Sequence, residues 1–538
     1  MRPAPAGRPQ EEKPLTVPGE GRGGGGRQAA QVAAGILLSR VLGYVRQRAI
    51  AYYIGNGWAA DALTVAQRVP NTIRNLLAEG TLSASFIPVY AALNERADKR
   101  AARALAGAIL GLLLLATGVL ALVGIGFAPA LTTLFGAGLR GDARALAVSL
   151  MRLLFPMSGL MVISAWCLGV LNTHRRFFLS YAAPAVWNIA GIAALVGAGT
   201  WLVSPALPIA QQLTRLSLAL AWGTVAGSVL QVGVQLPACA RALRGLPVRW
   251  SVSAEGVHDV LVAWLPVVLG AGVAQISGLI DTLLGTLAGE GGASSLQYAQ
   301  LLQILPISLF GTSVAAVSLP DLSRDAQRAT PNEQLRARIA VGFRRIVFFI
   351  LPSSLAFVAL APVIVRPLFQ TGRFAAADTA LVGGVLAAYG VGLLGQACVK
   401  LFQSGFYALR DTRTPVKIAS ASLILSSALA YVLMRRFGPA GIALGSSLGA
   451  TVNVVFHLRD LDRRVGAILG RTEWRAFGVS LLVSGVAAAA ALGVVRIAAQ
   501  AGPLTAALLA LAIFGGVYFG GTIALRHPDA RRLWTFLR

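Results

Sequence analysis

The sequence predicts an all-α polytopic membrane protein: two six-helix lobes around a central cavity, then two C-terminal transmembrane helices, fourteen spans in all. Three observations carry the prediction. The 538 residues are 56% hydrophobic and 13% charged, with a mean hydropathy of +0.69, whereas a soluble chain carries about twice that charged fraction. Apolar runs of roughly 20 residues, enough to cross about 30 Å of hydrocarbon as helix, recur along the chain. The net charge of +26 is spread over short connections between those runs, a membrane pattern and not the single basic face of a nucleic-acid binder.

Residues 1–27 are rich in Pro, Gly and Arg and hold no apolar stretch. They read as a disordered cytoplasmic tail, without the apolar core of a signal peptide. Apolar runs then place spans at 29–54, 60–92, 104–137, 146–172, 180–203 and 214–240. A second set follows at 258–288, 293–320, 340–370, 378–409, 415–435 and 440–458, and a last pair at 474–499 and 503–525. Charges interrupt the first two, and Pro70-Asn71 is expected to break the second.

Lysine and arginine placement gives the orientation. The even-numbered connections hold groups such as Arg96, Lys99, Arg100 and Arg103, or Arg459, Arg463, Arg464, Arg471 and Arg475. The odd-numbered ones hold far fewer: Arg140, Arg144, Arg366, Arg373, Arg435, Arg436 and Arg496. This bias puts the even connections and both termini in the cytoplasm.

The chain also repeats. Ala221-Trp222-Gly223-Thr224-Val225-Ala226-Gly227 with Gln231 in span six matches Ala443-Leu444-Gly445-Ser446-Ser447-Leu448-Gly449 with Asn453 in span twelve. Spans four and ten both run into polar connections followed by a proline, Pro184 and Pro415. We therefore divide the chain into an N-terminal lobe (28–250), a C-terminal lobe (251–465) and two extra helices with a short tail (466–538), the basic stretch 321–345 joining the lobes. Two lobes of equal topology suit a transporter that rocks about a central cavity.

Charges inside spans mark the candidate site, because an arginine at mid-bilayer costs roughly 2.5–3.5 kcal/mol on insertion scales. Arg40 and Arg46 lie six residues apart in span one, so about 120° separates them on a helix, and Gly43 between them permits a bend. Arg46 either faces a cavity or snorkels to an interface. Arg74 follows Pro70-Asn71, and Glu79 is placed to neutralise an arginine until an anion arrives, or to form a fixed ion pair. Asp61 reads as a gate partner or as a solvated helix-start residue. Asp281, with Ser277 and Gln275 nearby, is a candidate cation or proton site, and Lys400, near Gln396 and Gln403, is a further cavity charge. Three scattered cysteines and four unpaired histidines suggest no metal site, cofactor or catalytic group.

At these residues the sequence resembles the MurJ (MviN) family of lipid II flippases, in the multidrug/oligosaccharidyl-lipid/polysaccharide exporter superfamily. The motifs are Ser39-Arg40-Val41-Leu42-Gly43, Pro70-Asn71 through Arg74, Ala78-Glu79-Gly80, Phe86-Ile87-Pro88, Phe406-Tyr407-Ala408-Leu409 and Asp411-Thr412-Arg413-Thr414-Pro415-Val416. The resemblance implies that the chain flips undecaprenyl-pyrophosphate-linked peptidoglycan precursor from the inner to the outer leaflet, with membrane lipids and the cell-wall synthesis machinery as its other partners. It further implies that Arg40, Arg46 and Arg74 face the cavity toward the pyrophosphate, and that spans thirteen and fourteen form a groove for the lipid tail.

One departure stands out. The family commonly has an arginine where this chain has Leu301, in Tyr298-Ala299-Gln300-Leu301-Leu302-Gln303. Either Lys400, Gln300 or Gln303 takes over, or the N-terminal lobe holds the substrate. Ser426 and Ala430 in span eleven offer few ligands for a sodium ion beside Asp281. The competing readings are an exporter of another polyprenyl-linked oligosaccharide, a multidrug extruder disfavoured by the arginines, a membrane enzyme lacking catalytic groups in its loops, and a passive scaffold that leaves the buried arginines unexplained.

Overall fold

The computed structural model describes residues 24–78, 80–96, 98–311 and 331–530, which fold into α-helices with no strand among them. Helix α1 spans Gly24–Tyr53, so it begins inside the stretch expected to be tail. Span two is two helices, α2 (Trp58–Leu77) and α3 (Thr81–Glu95). Next come α4 (Lys99–Phe135), α5 (Gly141–Thr173), α6 (Phe177–Gly197) and α7 (Ile209–Leu243). The second set is α8 (Val257–Leu287), α9 (Gly292–Pro306), α10 (Pro331–Phe369), α11 (Ala376–Ala408), α12 (Arg413–Phe437) and α13 (Pro439–Val465). Helices α14 (Arg471–Ile497) and α15 (Pro503–Ala524) end the chain.

Twelve helical stretches among the described residues are long and apolar enough to cross a membrane. Helix α1, interrupted by arginines, and the 15-residue α9 complete the fourteen. Two expectations need correction. Span two does not break at Pro70: α2 runs through it, and the chain turns at Ala78 and at Gly80, whose φ of 82° suits glycine. A membrane helix tolerates the ring where neighbouring helices and local adjustment re-satisfy the backbone group it frees. The joining stretch 321–345 is helical from residue 331, as the start of the 39-residue α10.

The two sets of six pack in the same order. In the first, α1 lies on α6, α2 and α4 on α5, and α7 on both α5 and α6. In the second, α8 lies on α12, α9 and α10 on α11, and α13 on both α11 and α12. The repeated glycines explain part of this. A β-carbon on Gly223 would stand 2.2 Å from Ala194 Cβ of α6, and one on Gly445 would stand 2.4 Å from the Ala430 nitrogen of α12. Each motif thus lets the sixth helix of its set approach the fifth backbone to backbone, the usual use of small residues in membrane helix packing.

Helices α14 and α15 belong to the second set through α10. Phe348, Leu360, Ala487, Phe514 and Tyr518 form one buried cluster, and the Tyr518 hydroxyl donates to the Phe348 carbonyl at 2.6 Å. Outward faces leave Leu122, Ile424 and Leu482 exposed, as hydrocarbon requires and water would not.

Candidate functional site

The lobes meet most tightly at the end that carries the odd-numbered connections. Asp61 of α2 is buried, and its carboxylate accepts the Gly291 N–H at 2.7 Å and the Ser294 N–H at 2.8 Å. The Ser294 hydroxyl lies 2.9 Å from Asp61 Oδ1 and 2.7 Å from Asn56 Oδ1. An acidic residue of the first lobe therefore caps the start of α9 in the second, where unpaired N–H groups and the helix dipole favour negative charge. Asp61 thus lies buried at the lobe contact and not in solvent at its helix start. Around it, Trp58 N–H donates to Glu290 at 3.1 Å, Tyr298 to the Gly55 carbonyl at 3.0 Å, and Arg48 to the Pro367 and Leu368 carbonyls at 2.7 and 2.9 Å. Arg373 adds a bond to Gln212.

Below this seal lies a cavity of about 60 Å³ between α2, α8 and α9, lined by Gln67, Arg68, Asn71, Asp281, Gln297 and Gln300 among others. Asp281 accepts the Ser446 hydroxyl at 3.2 Å and senses the charge of Arg68. Arg68 passes over Gly278 so closely that a β-carbon there would stand 1.2 Å from its Nη2. Its buried Nε has no hydrogen-bond partner. The cavity thus sets a cation of one lobe opposite an anion of the other, with amides between.

Arg40 and Arg74 sit farther toward the even-connection end, Arg46 lies only two residues before the sealing Arg48, and the three do not converge on one point. Arg40 is exposed and reaches the second lobe, donating to the Ser308 hydroxyl at 3.0 Å. Arg46 turns into its own lobe, its guanidinium 4.0 Å over the Trp187 ring, a cation–π contact, with Nε buried and without a hydrogen-bond partner. Arg74 donates to Asn75 at 3.2 and 3.3 Å, and Asn75 donates across the lobes to Gln275 at 3.2 Å. Arg46 and Arg74 are near enough to feel each other's charge. Helix α1 is continuous through Gly43, so the divergence is the angular offset of a regular helix.

Glu79 lies outside the described residues. Lys400 is exposed and sits eleven residues after Tyr389, on the same face of α11 about 17 Å further along. Tyr389 accepts Gln300 Nε2 at 3.0 Å, so that face of α11 packs toward α9, and Lys400 is not brought beside the arginines. Leu301 packs against the second-lobe core, and Gln303 is buried.

Sequence reasoning passed over Arg68, Gly278, Gln297 and Trp187. Arg68 was findable: it is a cation inside an apolar run, six residues before Arg74, the same spacing that joins Arg40 to Arg46. Trp187 and Gly278 carried no such signal, because an aromatic or a glycine in a span is ordinary helix packing.

Comparison with known proteins agrees with this architecture. The family profile described as lipid II flippase MurJ matches residues 50–512. The chain is 34% identical to the lipid II flippase MurJ of Burkholderia cenocepacia, over 92% of this chain and 96% of that protein. It is 32% identical to the probable lipid II flippase MurJ of Haemophilus influenzae, over 85% and 89%. Among solved structures it superposes on a lipid II flippase MurJ in an inward closed conformation with a TM-score of 0.71, at 21% identity, over 92% of this chain and 100% of that one. An inward-facing MATE family transporter of the MOP superfamily aligns with a TM-score of 0.64, at 17% identity, over 82% and 98%.

Proposed function

The chain belongs to the lipid II flippase MurJ family, and from that premise we propose that it carries lipid II from the inner to the outer leaflet of the bacterial cytoplasmic membrane by alternating access. The observation that carries the proposal is the placement of Arg40 and Arg74 where the two lobes face each other, away from the end at which they are sealed, with Arg46 close by over Trp187. Guanidinium forks suit pyrophosphate oxygens, and in a low-dielectric cleft they attract the charged headgroup while the polyprenyl chain stays in lipid. The arginine-rich even connections face the cytoplasm, as do both termini, so the sealed end is extracytoplasmic. We take the lobes to be those drawn from the sequence, 28–250 and 251–465.

The residues take distinct parts. Arg40 and Arg74, each engaged toward the second lobe through Ser308 or Asn75, receive the pyrophosphate, and Arg46 supplies field from its place over Trp187. Glu79 balances these arginines before substrate enters, and Lys400 extends the basic lining on the second lobe. Asp61 holds the outer gate shut, and Asp281 opposite Arg68 couples lobe separation to charge. The work is binding and reorientation, with no bond made or broken.

Translocation of labelled lipid II in proteoliposomes, with and without a membrane potential, tests the substrate and energy source together. Lipid II should reach the outer leaflet in a protein-dependent manner, and Arg40→Ala or Arg74→Ala should abolish it while leaving the protein inserted. Equal transport by those variants, or transport of a different polyprenyl-linked glycan in preference, would overturn the reading.

A further inference from the structure

Helix α13 carries a pair of arginines that the transport site does not use. Arg459 and Arg463 lie one turn apart on the even-connection end, about 40° apart around the helix. Both are exposed, and neither has a hydrogen bond or ion pair among the described residues. The acids nearest them are already taken. Arg464 binds Asp411 at 2.7 Å and Asp460 at 2.9 Å, and Asp462 accepts the Ile468 N–H at 2.9 Å. The two guanidinium groups therefore face the surroundings without a direct partner, although Asp460 and Asp462 border them.

They form a ridge between two grooves. A cavity of about 420 Å³ on one flank runs along Val455 and Leu458. Another of about 320 Å³ on the other flank runs along Phe456 and Ile418 of α12. Both grooves are lined by the two arginines, with Asp462 also in the first and Asp460 also in the second. Helix α13 starts at Pro439 on the opposite end. Twenty residues of rise at 1.5 Å place Arg459 about 30 Å away, one hydrocarbon thickness, and Arg463 about 6 Å further out. The half-exposed ring of Trp474 on α14, 56% exposed, marks the same interfacial level.

We propose that this ridge and its two grooves bind an anionic phospholipid, with the phosphate held by Arg459 and Arg463 and acyl chains lying along the apolar flanks. The order of the residues gives the reason: apolar side chains at hydrocarbon depth and two free forks at headgroup depth, on one face of one helix. A soluble anion would use the arginines but not Val455, Phe456 or Ile418, so the groove selects a lipid. The site lies outside the candidate transport cavity, and the proposal does not depend on the transport reading.

The test uses the full chain in detergent, incubated with phosphatidylglycerol or with phosphatidylcholine and read by native mass spectrometry. Wild type should retain phosphatidylglycerol over phosphatidylcholine. Arg459→Gln/Arg463→Gln should lose one tightly held phosphatidylglycerol, whereas Arg241→Gln/Arg244→Gln, removing the same charge at the same end, should keep it. Ile418→Trp, which fills a groove without altering charge, should weaken retention too and covers the case in which the double variant misfolds. Unchanged retention by both the double variant and Ile418→Trp, equal retention of the two lipids by wild type, or displacement of the lipid by free glycerol 3-phosphate would overturn the proposal.

Discussion

The Arg68 guanidinium lies over Gly278, which has just enough room for it: a β-carbon on Gly278 would stand 1.2 Å from Arg68 Nη2. Span two of one lobe thereby touches span seven of the other through a cation and a missing side chain. Gly278→Ala separates stability from function. In a helix interior alanine is favoured over glycine by roughly 0.5–1 kcal/mol, and the group it meets is the end of a flexible side chain. The melting temperature should hold or rise, while Arg68 is pushed away from Asp281. Transport by Gly278→Ala should then fall to the level of Arg68→Gln. Normal transport in the alanine variant would show that the placement of Arg68 is incidental.

Leu301 poses the complementary question. It packs against the second-lobe core and sits one turn beyond Gln297, a cavity-lining residue. Relatives commonly place an arginine there, and the structure supplies a cation to the same region from the facing lobe, at Arg68. Leu301→Arg in an Arg68→Gln background should restore complementation of a flippase-depleted cell. Arg68→Gln removes the cation opposite Asp281, so the single variant should lose most of its transport and the double variant should recover most of that. If the double variant stays inactive, the two positions do different jobs.

Much of this was legible in the sequence because membrane solvent allows few solutions: runs of hydropathy, the basic bias of alternate connections and the repeated Gly223/Gly227 and Gly445/Gly449 motifs led to the helices and their packing. The intramembrane arginines were legible for the same reason, since each is costly. What they touch was not. The trans-capping of α9 by Asp61 depends on two segments 230 residues apart, and no local pattern distinguishes that carboxylate from an ordinary helix-start aspartate. The break falls after Ala78 and not at Pro70: proline is the stronger local signal, yet a membrane helix packed among neighbours continues through it.

Asp61→Asn keeps the shape of that cap and removes its charge. One side-chain oxygen can still accept, but the second bond and the dipole interaction weaken, a change of about 1–2 kcal/mol. The outer gate should open more often, by roughly 5- to 30-fold in population. Spin labels at positions 57 and 293 read this directly as a longer distance distribution in the resting protein. An unchanged distribution would mean that the surrounding bonds from Trp58, Tyr298 and Arg48 hold the gate alone.

The C-terminal segment gives a prediction in pH. After α15 the chain tucks His527 and Asp529 beneath α10, where Arg344 binds Asp529 at 2.8 Å and approaches Glu473 at 3.7 Å. The His527 ring stacks on Phe348 with centroids 5.0 Å apart. Burial holds the His527 imidazole below its ordinary range, opposed by Asp529 and reinforced by Arg344. The undocked segment therefore takes up a proton more readily than the docked one. Docking is fully stabilised above the ordinary histidine value of about 6.5 and weakens as pH falls through the lower, docked value. Hydrogen exchange over the end of α15, corrected for intrinsic rates, should quicken between about pH 7.5 and 5.5. His527→Phe retains the stack and removes the titration, so its exchange should be level across that range. If its slope matched wild type, the proton would have to bind at a group other than His527.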